Sequence, residues 1–210
     1  MHIKYKSVSL IERNDKKYQL HLEHMRFIRN CNRSTRDQDY RRVITSWLET
    51  VLTKHLSKTF ILDCRNILTW EELNNRNQYF KKYREMDGLF TRGKEKIYVE
   101  IKASQSKSSF SKGKSQINET ITLLNMAPDR IVAVLIMADC RCFDSTFGYA
   151  LETIKEKIDA SDAYRLINGL NSPTNFDGSQ KWLWMLNQED VLQLASMYGQ
   201  PHEDDVDGEY

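Results

Sequence analysis

Three side chains on two neighbouring predicted strands could act together on a divalent cation. Asp87 lies in a strand predicted near 83–90, and Glu100 and Lys102 lie in the next strand, predicted near 95–103. Because side chains alternate between the two faces of a strand, Glu100 and Lys102 share one face, and the apolar residues between and beside them occupy the other. A carboxylate and an ammonium group are therefore predicted side by side on one face.

The turn between the two strands decides whether Asp87 lies near Glu100. We predict a two-residue loop at Gly93-Lys94, since a type II′ turn prefers glycine at its first central position. This register places Asp87 directly across from Glu100, with Cβ atoms about 5 Å apart. A loop one residue earlier would place Asp87 opposite Tyr98, still on the same face, whereas a three-residue loop would break the arrangement.

Two directly opposed carboxylates repel each other unless a cation lies between them. Oxygen ligands at this spacing suit Mg²⁺, which commonly takes one or two carboxylates and keeps several waters. The ion would polarise a phosphoryl oxygen and lower the pKa of a coordinated water. Lys102 would orient that water or stabilise the charge on the phosphate. The alternative is an exposed strand face with ordinary charges, on which Glu100 and Lys102 form a weak surface pair.

The segment 86–88 (Met-Asp-Gly), followed on the next strand by Glu100-Ile101-Lys102, resembles the motif of the PD-(D/E)xK nuclease superfamily. The predicted order of helix, strand, strand pair, helix and strand over roughly 36–140 is similar to the restriction-endonuclease-like core of that family. The resemblance therefore covers about half of the chain.

The resemblance also implies a role for each residue of the motif. Asp87 and Glu100 would hold Mg²⁺ or Mn²⁺, the carbonyl of Ile101 would be a further ligand, and Lys102 would assist the attacking water. Many members of the family place a glutamate on the first core helix, where this chain has Glu49.

Two supporting residues follow from the same resemblance. Glu49 lies at the edge of the apolar face of its predicted helix, so a metal-facing role and a solvated helix charge are both open. Gln116 begins the predicted helix after Lys102, where some branches of the family carry a glutamine. Thr120 stands where those branches often have a tyrosine.

A Ser/Lys-rich connector over 103–114 is predicted to follow the site directly. Lys107, Lys112 and Lys114, with many neighbouring hydroxyls, are suitable contacts for nucleic-acid phosphates. We hypothesise a mobile loop that becomes ordered on DNA; a merely flexible linker is the alternative.

The periodicity of apolar residues predicts an α/β fold with a mixed central β-sheet flanked by helices and an N-terminal β-hairpin. The predicted regions are a hairpin extension over 1–34, a nuclease domain over 35–200 and a disordered acidic tail over 201–210. Outside the site, we predict hairpin strands at 3–12 and 17–28, a helix at 36–57, a short buried strand at 59–64, a loop with a helical turn at 65–82, a helix at 115–126, a strand covered on both faces at 131–137, a helix at 147–168, a strand at 181–186 and a helix at 188–198.

The distribution of charge is compatible with a nucleic-acid partner. The net charge is only +2, but residues 1–60 contain 13 basic and 6 acidic residues, whereas residues 131–210 contain 5 and 14. The basic part could follow a phosphate backbone, and an ordinary solvated surface explains the asymmetry equally well.

Composition also bears on location. No apolar run approaches the ~18 residues that span a bilayer, and the N-terminus lacks the apolar block of a signal peptide. We therefore expect a cytoplasmic protein without membrane contact. The spacing of Cys31, Cys64, Cys140 and Cys142 is not the paired arrangement of a zinc knuckle, which favours reduced thiols.

The expected function is a Mg²⁺-dependent nuclease that hydrolyses phosphodiester bonds of DNA, with RNA not excluded. No second large domain is visible for base recognition, so a partner subunit or a homo-oligomer is expected. Restriction, phage defence, transposition and repair are all compatible pathways. The alternatives are a non-catalytic nucleic-acid-binding or scaffold subunit of a nuclease complex and a phosphoesterase that acts on nucleotides.

Overall fold

The structure, a computed structural model of the 210-residue chain, describes residues 4–30, 37–124, 130–161, 164–170 and 181–202. Its helices and strands are β1 (Tyr5–Ile11), α1 (Lys16–Asn30), α2 (Asp37–Leu56), β2 (Ile61–Leu62), β3 (Ile67–Leu73), β4 (Tyr79–Glu85), β5 (Gly88–Arg92), β6 (Glu95–Lys102), α3 (Lys107–Leu124), β7 (Arg130–Ala138), α4 (Leu151–Ser161), β8 (Tyr164–Asn168), β9 (Lys181–Leu186) and α5 (Gln188–Tyr198). The predicted disorder of the acidic tail falls, from residue 203 onward, outside these ranges.

A mixed six-stranded sheet with the order β2-β5-β6-β7-β9-β8 forms the centre of the fold. Strands β6, β7, β9 and β8 are mutually parallel, whereas β5 is antiparallel to both β2 and β6. Helices α2 and α5 pack on one face of the sheet, and α3 and α4 pack on the other. The predicted α/β class with a mixed central sheet flanked by helices is confirmed.

Strand β7 shows why the central strand of the sheet could be predicted from the sequence. Val134 and Ile136 pack into the core on the α2 side, whereas Ala133 and Leu135 pack into the core on the α3 side. A strand buried on both faces needs a continuous apolar run rather than an alternating one. The predicted buried strand at 131–137 is therefore confirmed, as are the helices at 36–57 and 188–198 and the strand at 181–186.

The β5–β6 hairpin has the predicted register. Arg92 pairs with Glu95 across a two-residue loop, and the ladder runs on to the pair Gly88 and Val99. Gly93 has a φ of 60°, which the first central position of a type II′ turn requires. The turn chemistry therefore sets the alignment of the two strands.

The predicted N-terminal hairpin is wrong in its second arm. Residues 5–11 do form a strand, but this strand pairs with β3, and residues 17–28 belong to helix α1. Asp15 begins the helix because its Oδ1 accepts the backbone N–H groups of Lys17 and Tyr18 at 3.0 and 3.1 Å. The apolar residues at 17–28 fit both the two-residue period of a strand and the 3.6-residue period of a helix. The N-terminal cap formed by Asp15 favours the helix.

A second, three-stranded antiparallel sheet, β1-β3-β4, replaces the predicted loop at 65–82. The Asn-rich segment that suggested a loop is only the turn between β3 and β4. There the Asn74 side chain accepts the backbone N–H groups of Arg76 and Gln78, and Asn77 has a φ of 56°. The strong turn signal masked the two strands that flank it.

Three other predicted boundaries need correction. The strand at 59–64 is reduced to the two residues of β2, whose side chains are largely exposed at the sheet edge. The strand at 83–90 is two strands in different sheets, because the chain passes from β4 to β5 at residues 86–87. The helix at 147–168 ends at Ser161, and residues 164–168 form β8.

The Ser/Lys-rich connector is also not a loop. Helix α3 begins at Lys107, and the Ser106 hydroxyl accepts the backbone N–H of Ser109 in its first turn. Serine is a good N-cap, so the polar run marks a helix start. Gly113 lets this helix approach the sheet, since a Cβ there would lie 2.6 Å from a methyl carbon of Leu135.

In the described ranges, no helix combines the length and the apolar character needed to cross a membrane.

Candidate active site

The three predicted site residues come together where the β5–β6 hairpin meets the small sheet. Glu100 and Lys102 lie at the end of β6, and Asp87 immediately precedes β5. Asp87 Oδ2 accepts the backbone N–H of Ile101 at 2.6 Å, so its carboxylate contacts the strand that carries the other two.

Glu100 is buried, with only 2% of its surface exposed. Its carboxylate accepts two short hydrogen bonds: Tyr98 donates its hydroxyl to Oε2 at 2.5 Å, and Lys102 donates its ammonium to Oε1 at 2.5 Å. The Lys102 side chain is itself only 17% exposed. This face is therefore not the exposed strand surface of the alternative interpretation.

The electrostatics of Asp87 also join the three residues. Burial, together with the negative charge of Glu100, raises the pKa of Asp87 to about 7, while Lys102 and the Ile101 N–H act in the opposite direction. Glu85 adds a smaller upward contribution. A further cation bound beside Asp87 would offset its burial and the charge of Glu100, and so favour its ionised form.

Ile101 is suitably placed to offer its carbonyl. The N–H and C=O groups of one strand residue point to the same side of the strand, as in the paired bonds of an antiparallel ladder. Since the Ile101 N–H points toward Asp87, the Ile101 carbonyl faces that side too. A backbone oxygen is thus available beside the carboxylate of Asp87.

These oxygen donors fit Mg²⁺ or Mn²⁺. Zinc prefers nitrogen and sulphur ligands, which Asp87, Glu100 and the Ile101 carbonyl do not offer. Among the described residues, no group of three or more His, Cys, Asp and Glu side chains is arranged to hold a metal of any kind. Mg²⁺ needs only one or two carboxylates because it retains several waters. A positive charge close to Asp87 would favour its ionised form, which burial and the charge of Glu100 disfavour.

A cleft of about 480 Å³ opens beside Asp87. Its walls come from the β1–α1 loop, from α2, from the segment after β2 and from the β4–β5 junction. Its charged lining residues are Arg13, Glu49, Lys54, Asp63, Glu85 and Asp87. Glu49, predicted as a supporting residue, therefore lies in the same cleft as Asp87.

Asp63 and Glu85 in this cleft are bound by arginine. Arg65 donates two side-chain hydrogen bonds to Asp63 at 3.0 and 2.9 Å, which lowers the pKa of Asp63. Arg13 lies 3.6 Å from Glu85, which also accepts the hydroxyl of Tyr18 at 3.2 Å. Asp63 and Glu85 are therefore held for structural reasons.

Two basic cleft residues were not predicted from the sequence. Arg13 comes from the β1–α1 loop and Lys54 from the last turn of α2, far apart in sequence. No local pattern distinguishes these residues from other surface cations, and only the tertiary arrangement brings them to one cleft.

Gln116, the second predicted supporting residue, does not line the cleft. Its backbone carbonyl accepts Arg84 at 3.4 Å, and its Oε1 is buried without a hydrogen-bond partner among the described residues. Thr120, one helical turn later, reaches the site instead, because it hydrogen-bonds the hydroxyl of Tyr98. The sequence carried a signal for Tyr98, which shares a strand face with Glu100.

The predicted phosphate contacts lie on α3. Lys107 and Lys112 are exposed, and Lys114 is half-buried. Because all three belong to a regular helix, the hypothesis of a mobile loop that orders on DNA is wrong. Their side chains remain candidates for phosphate contacts.

Comparisons of the chain with protein-family models, with curated proteins and with solved structures found no match. What the site can do follows from its own geometry. It combines two acids, a backbone carbonyl and an ammonium group beside a cleft with basic residues in its wall.

Proposed function

We propose that this protein is a Mg²⁺- or Mn²⁺-dependent nuclease of the PD-(D/E)xK superfamily that hydrolyses phosphodiester bonds of DNA. One observation carries the proposal: the buried Glu100–Lys102 pair and the carboxylate of Asp87 meet at one end of a hairpin, and Asp87 also lines a cleft. A buried ion pair gives weak stabilisation at best, so stability alone does not account for it.

Asp87, Glu100 and the carbonyl of Ile101 would hold the metal. When bound, the ion would polarise the phosphoryl oxygen and lower the pKa of the attacking water. Asp87 would be ionised in that state, since the cation would offset both the burial and the neighbouring charge of Glu100 that raise its pKa.

Lys102 contributes the positive charge of the site. Its ammonium lies beside the carboxylates, at 2.5 Å from Glu100 Oε1. From there it orients the water and stabilises the charge that develops on the scissile phosphate. Water attacks phosphorus, and the 3′ oxygen leaves.

The cleft and the exposed face of α3 would bind the nucleic acid. Arg13 and Lys54 in the cleft, with Lys107 and Lys112 on α3, offer positive charge for the phosphate backbone. Phosphate contacts position the substrate without reading its sequence. Specificity would then come from a partner subunit or a second copy, in restriction, phage defence, transposition or repair.

The proposal is tested with purified protein on supercoiled, linear and single-stranded DNA in Mg²⁺, Mn²⁺ or EDTA. We expect cleavage only with the metals. Lys102→Ala should lower kcat by about 100- to 1,000-fold, the range for removal of one transition-state donor, while DNA affinity changes little.

Lys94→Ala is the matched control. Lys94 lies exposed at the turn of the same hairpin, eight residues from Lys102 and so about 26 Å away along the strand. Its loss should leave cleavage unchanged. Equal cleavage by wild type and Lys102→Ala would contradict the proposal, and DNA binding without metal-dependent cleavage would favour the non-catalytic subunit instead.

A further inference from the structure

Tyr98 is a buried tyrosine that touches the site without being one of its acids. None of its surface is exposed, and it lies on the same face of β6 as Glu100, two residues earlier. Its hydroxyl donates to Glu100 Oε2 at 2.5 Å. One oxygen of this carboxylate is therefore held from behind, inside the protein.

A second hydroxyl, that of Thr120, contacts the hydroxyl of Tyr98 from the α3 side. Thr120 on α3 has no exposed surface and hydrogen-bonds the Tyr98 oxygen. Arg84 on β4 donates to Thr120 Oγ1 at 2.9 Å. Because Tyr98 donates its single hydroxyl proton to Glu100, its oxygen can only accept from Thr120, which is therefore the donor of that hydrogen bond.

The direction of these hydrogen bonds orients the carboxylate of Glu100. A carboxylate rotates about its terminal bond, and a ligand that rotates freely must be fixed before it can bind a cation in one geometry. Since Oε2 is held by Tyr98, Oε1 is the oxygen directed away from the core, toward Lys102. Hydrogen bonds from uncharged partners behind a ligand carboxylate commonly fix its orientation in this way.

We propose that Tyr98 is a positioning residue of the active site, oriented by Thr120, that fixes the carboxylate of Glu100 for divalent-cation binding. The inference rests on the proposed function and deepens it. Because Tyr98 has no exposed surface, it acts only through Glu100. Arg84 of β4 connects these hydrogen bonds to the small sheet, because it donates to Thr120.

A purely structural role for Tyr98 would give different results. Filling the core requires the ring, which Tyr98→Phe retains, whereas positioning requires the hydroxyl, which it removes. The variant should therefore fold, and its metal affinity should report on the hydroxyl alone.

The test is titration of the metal-free protein with Mn²⁺ alone, followed by calorimetry, with DNA cleavage measured separately. Tyr98→Phe should weaken Mn²⁺ binding by about 10- to 100-fold, the usual effect of removing a partner behind a ligand. Its KM for DNA should stay within about twofold of wild type. Tyr164→Phe, which removes a buried hydroxyl on β8, should leave Mn²⁺ affinity unchanged.

Thr120 supplies a second, independent arm. Thr120→Val should weaken Mn²⁺ binding in the wild-type background but add nothing to Tyr98→Phe, because both changes act on the same hydrogen bond. Thr120→Ser keeps the hydroxyl and should restore wild-type affinity.

The outcomes separate the two claims. If wild type binds no Mn²⁺ and cleaves no DNA, the proposed function is wrong. If wild type binds and cleaves while Tyr98→Phe matches it in Mn²⁺ affinity, the positioning role is wrong. A lower Tm in Tyr98→Phe with unchanged Mn²⁺ affinity would likewise overturn it.

Discussion

The carboxylate of Asp87 accepts the backbone N–H of Ile101 in the place that a backbone carbonyl of a longer β5 would occupy. The backbone of Met86 cannot supply that carbonyl because it turns to Asn66, whose carbonyl accepts the Met86 N–H at 2.9 Å. Where the chain passes from the small sheet to the large one, a side-chain oxygen of Asp87 therefore takes the place of a backbone acceptor for the Ile101 N–H. The acidic side chain of Asp87 therefore lies beside Glu100 and Lys102 of β6.

The contribution of Asp87 to the stability of the metal-free protein should fall as the pH rises from about 4 to about 7. The pKa of Asp87 is raised from 3.8 to about 7, so between these values the folded state holds a proton that the unfolded chain releases. Asp87→Asn retains an acceptor for Ile101 but carries no charge. In EDTA, the Tm of this variant should exceed that of wild type by a few degrees at pH 8 and approach it at pH 4.

Asp63→Asn provides a control of opposite sign. The hydrogen bonds from Arg65 lower the pKa of Asp63, so the ionised carboxyl stabilises the fold above about pH 4, and this contribution is lost in acid. The Asp63→Asn variant should be less stable than wild type at neutral pH, with the difference closing as the pH falls.

For Asp87→Asn, Tm curves parallel to those of wild type across pH 4–8 would contradict the raised pKa of Asp87.

Arg13→Ala and Lys54→Ala should weaken DNA binding more than they slow the chemical step. Both cations line the cleft beside Asp87, and removing one cation that binds a phosphate should reduce the slope of log K against log salt by about 1. Fluorescence anisotropy over a salt series measures this slope. Lys155→Ala, an exposed charge on α4, is the control, and an equal reduction of the slope there would assign the effect to net charge alone.

Glu49→Gln should raise the Mg²⁺ concentration needed for half-maximal cleavage by several-fold, with a smaller effect on the rate at saturating metal. Glu49 lines the cleft with Asp87, so its negative charge favours a cation there. The measurement is a Mg²⁺ titration of the cleavage rate. Glu152→Gln, on the exposed side of α4, should not alter the titration. An unchanged midpoint in Glu49→Gln would mean that Glu49 is an ordinary helix charge.

Cys140 should react with a thiol reagent only after unfolding. It is fully buried, and burial raises the pKa of its thiol, which suppresses the reactive thiolate. Cys64 is exposed and should react first. The test uses Cys31→Ser protein, since Cys31 lies outside the described ranges, and the fast phase should disappear in Cys64→Ser. Fast labelling of Cys140 in the native state would contradict its placement.

Local chemistry made several features predictable. The alternation along β6 placed Glu100 and Lys102 on one face, and a glycine suited to a positive φ set the register that brings Asp87 toward them. The apolar run of β7 required burial on both faces. Each of these features depends on residues adjacent in sequence, and neighbouring residues are sufficient to determine them.

Where two local signals competed, sequence patterns were insufficient. The serines before α3 are compatible with both a loop and a helix cap, and the Asn-rich turn at 74–78 hid the strands on either side. In α1, strand and helix periods fitted equally well until Asp15 capped the helix. The partner of β1 lies about sixty residues away in β3, and a window of local residues does not contain that information.

The amino-acid sequence by itself determined that Glu100 and Lys102 would share a strand face, because side-chain direction along a strand follows from backbone geometry alone. Asp87 was predicted on a strand opposite Glu100, but it lies just before β5 and reaches β6 through its side chain. Only the tertiary structure decided that Glu100 is buried, that Tyr98 and Thr120 stand behind it, and that Arg13, Glu49 and Lys54 meet in the cleft beside Asp87. Burial and hydrogen bonding between distant segments arise when elements pack, so they belong to the fold as a whole.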